Sequence, residues 1–294
     1  MISQGNKPLA WLLLISLSVI WGSSFILMHE GLKVYQPTQL AAFRLSIVGL
    51  LFLPFGIYNI LKVKLADIKW FALAGLIGNF IPAFCFAEAQ TYLQSSTAGA
   101  LNSLTPFFTL LSGILLFSKK FNKYKIIGII VGLIGAISLI INKPEGGIEK
   151  HYEYGSLILV ATLLYGINVN VIESKLSKYN PLYIASIPLS LIAIPSLACM
   201  FVFDFPWSQA LSKEFIHGTS YIAILGLAGT GLGLLLFNRL IQISNGLFAS
   251  TVTYMMPVVS TFWGLYFNEA IGLIQVVSLC LILLGILLVR KFNA

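Results

Sequence analysis

Charge is scarce in this chain: Asp, Glu, Lys and Arg together make up 10% of its 294 residues. A soluble domain carries about 25%, because its outside must be wetted. With 58% hydrophobic residues and a mean hydropathy of +0.91, the sequence is built for a lipid bilayer. Cysteine is scarce too. Cys85, Cys199 and Cys280 all fall in apolar runs, which argues against exposed disulfides or reactive thiolates and leaves the redox compartment unread. His29, His151 and His217 are too scattered for a metal site, and solvated histidines are the simpler reading. The chain also lacks a nucleotide-binding loop, an HExxH run, and the Ser with His or Lys, or paired Asp, that an intramembrane hydrolase needs at depth. No metal, cofactor or enzyme activity is therefore expected. The net charge of +8 could point to nucleic acid, but the lysines come in short clusters between apolar runs. Such clusters are orientation signals beside membrane spans, so lipid rather than nucleic acid is the expected partner.

What is present is a series of long apolar runs. A helix needs about 20 mostly apolar residues to cross about 30 Å of hydrocarbon. Ten runs meet that length, at roughly 9–30, 38–60, 70–92, 97–117, 124–142, 154–173, 181–203, 219–243, 247–267 and 270–290. The runs are continuous rather than alternating, which favours helices over a barrel, since backbone in lipid must satisfy its own hydrogen bonds. The first run continues through "WGSSFILM" without a small-residue cleavage site, and reads as a retained span rather than a signal peptide. The expected fold class is an all-α integral membrane protein of ten transmembrane helices.

Orientation follows from Lys and Arg. With ten spans, the side holding the N-terminus carries Lys7, Lys62, Lys64, Lys69, Lys119, Lys120, Lys123, Lys125, Lys175, Lys178, Arg290 and Lys291, which is 12 of the 18. Lys33, Lys143, Lys150 and Lys213 lie on the other side, and Arg44 and Arg239 lie within spans. The positive-inside rule then places both termini in the cytoplasm of a multi-pass cell-membrane protein.

The chain repeats itself. Residues 74–113 align without a gap on 225–264, with Gly75, Gly78, Phe86, Ala98, Pro106 and Gly113 over Gly226, Gly229, Phe237, Ala249, Pro257 and Gly264. At an offset of 144, "WGSSFILMHEGLKVYQPTQLAAFRLS" lies over "YGINVNVIESKLSKYNPLYIASIPLS". Each half holds five spans, and an odd number turns the second copy upside down. The expected organisation is two inverted five-helix repeats, 1–142 and 154–294, joined by an outer loop at 143–153. Such repeats place a site between the halves near mid-membrane and let one face open as the other closes.

Pro106 interrupts the apolar stretch "AGALNSLTPFFTLLSGILLF" and frees the carbonyl of Asn102, so the fourth span is expected to bend or open there. Asn102, Thr105, Thr109 and Ser112 form a polar stripe through that break. Ala249, Thr253, Met256 and Ser260 occupy the matching face of the ninth span, around Pro257. Either these residues only hydrogen-bond within and between helices, or the two stripes line a cavity; their relation by the repeat favours the cavity. Asn79, Phe86 and Gln90 mark a second wet face on the third span. Trp21, Phe107, Phe237, Tyr254 and Trp263 could hold an apolar part of a solute, or simply fill space.

Three ionisable residues remain within spans, where each is costly. Arg44 is expected near the outer surface, as a snorkelling residue, an anchor for a substrate carboxylate or half of a gate ion pair. Glu88 and Arg239 occupy matched positions near helix ends, where snorkelling relieves the cost. If protons are coupled to transport, Glu88 is the carboxylate placed to carry them. With few buried cations, phosphorylated solutes fit poorly and neutral or zwitterionic ones fit better.

"IWGSSFILMHEGL", "QPTQLAAFRLS", "ALNSLTPFF" and the closing "NEAIGLIQVVSLCLILLGILLV" resemble the EamA family of the drug/metabolite transporter superfamily over nearly the whole chain. Trp21, Gly22, Pro37, Arg44, Pro106, Pro257 and Glu269 match the family pattern. Ser118 and Lys119 depart from it, standing where an acidic residue is common, and Glu88 and Arg239 are unusual at their positions. The resemblance implies ten spans, cytoplasmic termini, and a central cavity lined largely by the third, fourth, eighth and ninth spans. It also implies movement of amino acids, other small metabolites or drugs, commonly outward. The alternative expectation is a structural or lipid-linked membrane protein that moves no soluble solute.

Overall fold

The computed structural model describes residues 7–93, 95–141, 152–209, 211–213, 215–266 and 273–291. Among these residues every regular element is a helix. The first is α1 (Lys7–Leu32), and a short turn leads into α2 (Pro37–Ile60). That start is written locally: Pro37 stands in the first turn, where its missing N–H costs nothing, and Gln36 and Gln39 form a reciprocal cap. A later helix, running Pro181–Val202, repeats the arrangement, with the Asn180 side chain accepting the Leu182 N–H at 2.9 Å.

The third span is built from α3 (Ile68–Gly75), a wide π-helical turn (Leu76–Phe80) and α4 (Ile81–Tyr92). Pro82 has no N–H to return to the carbonyl of Gly78, four residues earlier, and its ring crowds that carbonyl; the helix widens just there. The fourth span is split into α5 (Ser95–Asn102) and α6 (Thr105–Phe117), with a turn at Ser103 and Leu104 immediately before Pro106. Next come α7 (Lys123–Ile141) and α8 (Tyr152–Val171), the latter ending in a π-helical turn (Ile172–Leu176). After α9 (Pro181–Val202), α10 (Ile216–Ile224) and α11 (Gly233–Ile243) flank a glycine-rich π-helical stretch (Leu225–Leu232). The last elements are α12 (Gly246–Ser250), α13 (Val252–Tyr266) and α14 (Leu273–Lys291).

Seven of the described helices are long and apolar enough to cross a membrane: Lys7–Leu32, Pro37–Ile60, Leu65–Tyr92, Ala98–Phe117, Glu153–Leu176, Pro181–Val202 and Ile216–Ile243. Gly246–Val259 and Val276–Val289 are shorter apolar helices. The expected connector at 143–153 falls largely outside the described residues, as does Glu269.

The break in the ninth span differs from expectation. Helix α13 runs straight through Pro257, and the interruption comes earlier, at Thr251 between α12 and α13. The carbonyl that Pro257 frees, that of Thr253, accepts the Ser103 hydroxyl at 3.1 Å, so the helix has no need to open. At Pro106 the freed carbonyl of Asn102 takes the Thr105 hydroxyl at 2.8 Å.

One packed pair joins segments that the repeat matches, α2 with α9, and another joins the last described helices of the two expected halves. The α2 helix lies along α9, and α7 along α14. At the first contact a Cβ on Gly56 would fall 1.9 Å from Ser190 Oγ; at the second, one on Gly285 would fall 2.6 Å from the Gly132 nitrogen. Backbones this close are how helices associate where lipid removes the hydrophobic drive between them. Gly285→Leu is therefore expected to lower the thermal midpoint of the detergent-purified protein by several degrees, for overpacking on the order of 1–3 kcal/mol. An unchanged midpoint would show that α7 and α14 are not in contact.

Candidate functional site

The widened and broken helices surround one cavity of about 130 Å³. Its wall is mostly apolar. Trp21, Phe25 and Met28 come from α1, and Tyr165 and Val169 from α8, followed by Ile172. Phe86 of α4, Leu234 and Phe237 of α11 and Met256 of α13 complete the apolar surface. Polar groups are set into it: Ser24, Asn79, Asn102, Thr105, Asn168, Thr230, Ser250 and Thr253.

The lining falls into pairs related by the sequence repeat. Trp21, Ser24, Phe25 and Met28 match Tyr165, Asn168, Val169 and Ile172 at the offset of 144. Gly78, Asn79, Phe86, Asn102 and Thr105 match Gly229, Thr230, Phe237, Thr253 and Met256 at the offset of 151. Only Arg44, Leu234 and Ser250 line the cavity without a matched partner there.

The π-helical turns shape two of these pairs. The Asn79 amide reaches back five residues to the Ala74 carbonyl at 3.4 Å, and the Thr230 hydroxyl reaches back five to that of Leu225 at 3.5 Å. A π turn exposes carbonyls that a regular helix would use internally, and such turns recur at functional sites. Trp21 exploits one, donating its Nε1–H to the Gly229 carbonyl at 2.6 Å. Its ring meets that of Phe237 with centroids 5.1 Å apart, while Phe86 packs between Phe25 and Tyr165.

Arg44 is the one charged residue in the wall, which contains no Asp or Glu. Its Nε donates to the Thr230 hydroxyl at 2.9 Å, joining α2 to the glycine-rich stretch. It is half-buried and lines the cavity. Seven residues beyond Pro37, the side chain is turned inward between helices onto the cavity wall.

Of the residues singled out in the sequence, Trp21, Asn79, Phe86, Asn102, Thr105, Phe237 and Thr253 come together on this wall. Its other candidates go elsewhere. Gln90 bonds the Phe25 carbonyl and Ser95 at 3.2 Å, and Thr109 bonds its own helix at the Thr105 carbonyl. Tyr254 points away from the cavity, donating to the Ile129 carbonyl of α7 at 2.9 Å. Pro106 stands just after the break in the fourth span and Pro257 within the continuous α13, neither lining the cavity, and the Ser260 side chain lies outside the described residues. Glu88 and Arg239 are not on the wall; Arg239 is exposed. The implied lining by the third, fourth, eighth and ninth spans needs extending to α1 and α8. Tyr165, Asn168 and Thr230 were missed although the repeat itself names them, as the counterparts of Trp21, Ser24 and Asn79.

The two ends beyond the cavity carry unlike contacts. At the face where α1 begins, Asp67 takes the Tyr179 hydroxyl at 2.6 Å and the Lys178 ammonium at 2.7 Å, and Lys119 pairs with Glu173. At the opposite face the Tyr35 hydroxyl meets that of Thr219 at 2.7 Å, with the Tyr35 ring stacked on Phe205 and edge-on to Phe215. Tyr35 and Tyr179 are themselves a matched pair at the offset of 144.

A family model for EamA-like transporters matches residues 8–141 and again 154–291. The chain belongs to the EamA-like transporter family. It is accordingly a multi-pass membrane protein of a transporter family. It is 27% identical to a transporter of Archaeoglobus fulgidus over 96% of this chain and 99% of that one. The inner membrane transporter YedA of Escherichia coli is 25% identical over 94% of this chain and 89% of its own. A probable amino-acid metabolite efflux pump of Salmonella typhimurium is 25% identical over 55% of this chain and 52% of its own. One crystal structure, 17% identical, shares the fold with a TM-score of 0.73 over 98% of both chains.

Proposed function

We propose that this EamA-family protein is a secondary transporter that moves small neutral or zwitterionic metabolites, amino acids or related compounds and drugs, outward by alternating access. Its ten helices form two inverted five-helix repeats, 1–142 and 154–294, joined through 143–153, with both termini in the cytoplasm. The cavity lining carries the reading: 18 of its 21 residues are nine pairs matched by the repeat. A site made in equivalent shares by two half-structures is what exchange of conformation between them requires. The double match of the family model and the packing of α2 on α9 and of α7 on α14 support the same arrangement. The name of the Salmonella pump supports amino-acid metabolites as cargo, and the Lys and Arg distribution supports the orientation. Net movement follows the solute's own gradient or that of a coupled ion. Since Glu88 is off the wall, the proposal assigns it no proton step.

Counterflow of labelled amino acids in liposomes tests this. The parent protein is expected to accumulate label against preloaded solute. Asn102→Leu and Thr253→Leu, which replace matched polar groups of the wall, are each expected to cut the rate roughly tenfold, the cost of one lost solute hydrogen bond. Both variants should insert and purify as the parent does. Full rates in both would remove the paired polar residues from the solute's path.

A further inference from the structure

The charge of the cavity is one-sided. Arg44 stands at the position that the repeat matches to Pro188, so the second half supplies no counterpart. No carboxylate lines the wall, and no ion pair involving Arg44 exists among the described residues. Thr230 takes only its Nε–H; no hydrogen bond from the other N–H groups to protein is found among the described residues, and the residue lines the cavity. A guanidinium enclosed between membrane helices without a counter-ion is an expensive arrangement, which ion pairing relieves. A carboxylate meets the fork of a guanidinium with two parallel hydrogen bonds.

We infer that Arg44 is the anion-binding end of the cavity and that the transported solute carries a carboxylate held by its guanidinium. This rests on the transport reading above; it narrows the zwitterions to those with a carboxylate and adds monocarboxylate anions to them. A single carboxylate neutralises the one cation present, whereas a phosphate monoester, at about −1.5 to −2, would leave uncompensated charge. The apolar remainder of the solute lies against the Trp21, Phe86 and Phe237 rings. Asn102 and Thr253 supply neutral groups that can meet a hydroxyl, an oxo group or an ammonium. With the charge on one side only, the solute binds in one orientation. Free carboxylic acids and amino acids share this carboxylate chemistry.

Three probes on one carbon skeleton test the assignment: leucine, 4-methylpentanoate, which lacks the ammonium, and isopentylamine, which lacks the carboxylate. Affinities are read from ligand-induced shifts in the thermal midpoint of the purified full-length protein. The parent is expected to bind at least one of the two carboxylates about tenfold or more tighter than the amine, and the comparison of those two says whether an ammonium is accepted. Arg44→Gln is expected to erase that preference, while Arg44→Lys, which keeps the charge and loses the fork, retains part of it. The midpoint without ligand reports folding of both variants separately. Equal binding of amine and carboxylates by the parent, failure of all three probes to bind, or an unchanged carboxylate preference in Arg44→Gln overturns the assignment. Counterflow of a solute without a carboxylate, unaffected by Arg44→Gln, would overturn it and leave the transport reading standing. Absence of any solute movement defeats the transport reading itself.

Discussion

In an Asp67→Asn variant, a cysteine placed at Thr105 is expected to react several-fold faster with an impermeant thiol reagent applied at the face where α1 begins. The native cysteines are replaced by serine for this measurement. Asp67 receives both Tyr179 and Lys178 on one oxygen, at 2.6 and 2.7 Å, and these contacts tie the turn before α3 to the loop before α9. Asparagine keeps a partner for the tyrosine and loses the ion pair, so conformers open at that face gain population. Labelling from the opposite face should fall in step. Tyr35→Phe, which cuts the hydroxyl contact with Thr219 at the other end, should shift the two rates in the reverse sense. Rates that ignore both substitutions would mean these contacts do not seal the cavity. Salt should mimic Asp67→Asn in part, because Lys178 is 53% exposed and the pair is screened. Alkali should not do so until late. The hydrogen bond to Asp67 holds the Lys178 ammonium above the usual lysine range, so its contribution is complete below the ordinary lysine pKa and is lost only as pH rises through the raised one.

Gly78→Ala is expected to reduce counterflow at least tenfold, and Gly229→Ala far less, although the two glycines are matched by the repeat. A Cβ on Gly78 would fall 2.1 Å from Asn168 Nδ2 and 2.7 Å from its Cγ, so the whole amide must leave its place on the wall. On Gly229 the nearest atom is the Ser24 hydroxyl at 2.9 Å, a single group that can rotate, and the next is 3.4 Å away. Overpacking of the first kind costs about 1–3 kcal/mol, and Asn168 has a short stem with little room to absorb it. Thermal midpoints separate a changed cavity from a failed fold. Equal rates in the two variants would show that the amide is not part of the working wall.

Much of this was legible in the sequence, and the failures have physical causes. The helical membrane class follows from composition alone, and the break before Pro106 from the missing N–H of one residue. Trp21 and Phe237 could be placed because the repeat fixes which faces correspond. A polar stripe, however, was extended through Thr109 on the assumption that every hydroxyl on one face meets the same space. One turn beyond Thr105, Thr109 satisfies itself on its own helix and faces Asn170, whose amide reaches the Thr109 carbonyl at 2.8 Å. Tyr254 follows Thr253 by one residue, which turns it about 100° around the helix and onto α7. The π turn at Leu76–Phe80 depends on Pro82, whose effect falls four residues earlier on a glycine that could equally have packed tightly. The contact of Arg44 with Thr230 was not legible, because distance along the chain says nothing of the glycine-rich stretch opposite.

The cavity walls of this protein match and the contacts at its two ends do not, so under the proposed alternating access the two ends are expected to answer differently to temperature. Parting Tyr35, Phe205 and Phe215 wets aromatic surface, and that step carries a positive heat capacity. Parting Asp67 from Lys178 wets charged groups, Lys178 being 53% exposed already, and polar wetting adds no positive heat capacity. Apolar closure weakens on cooling while the ionic one holds. Cooling is therefore expected to favour opening at the end held by aromatics, and warmth with salt opening at the end held by charge.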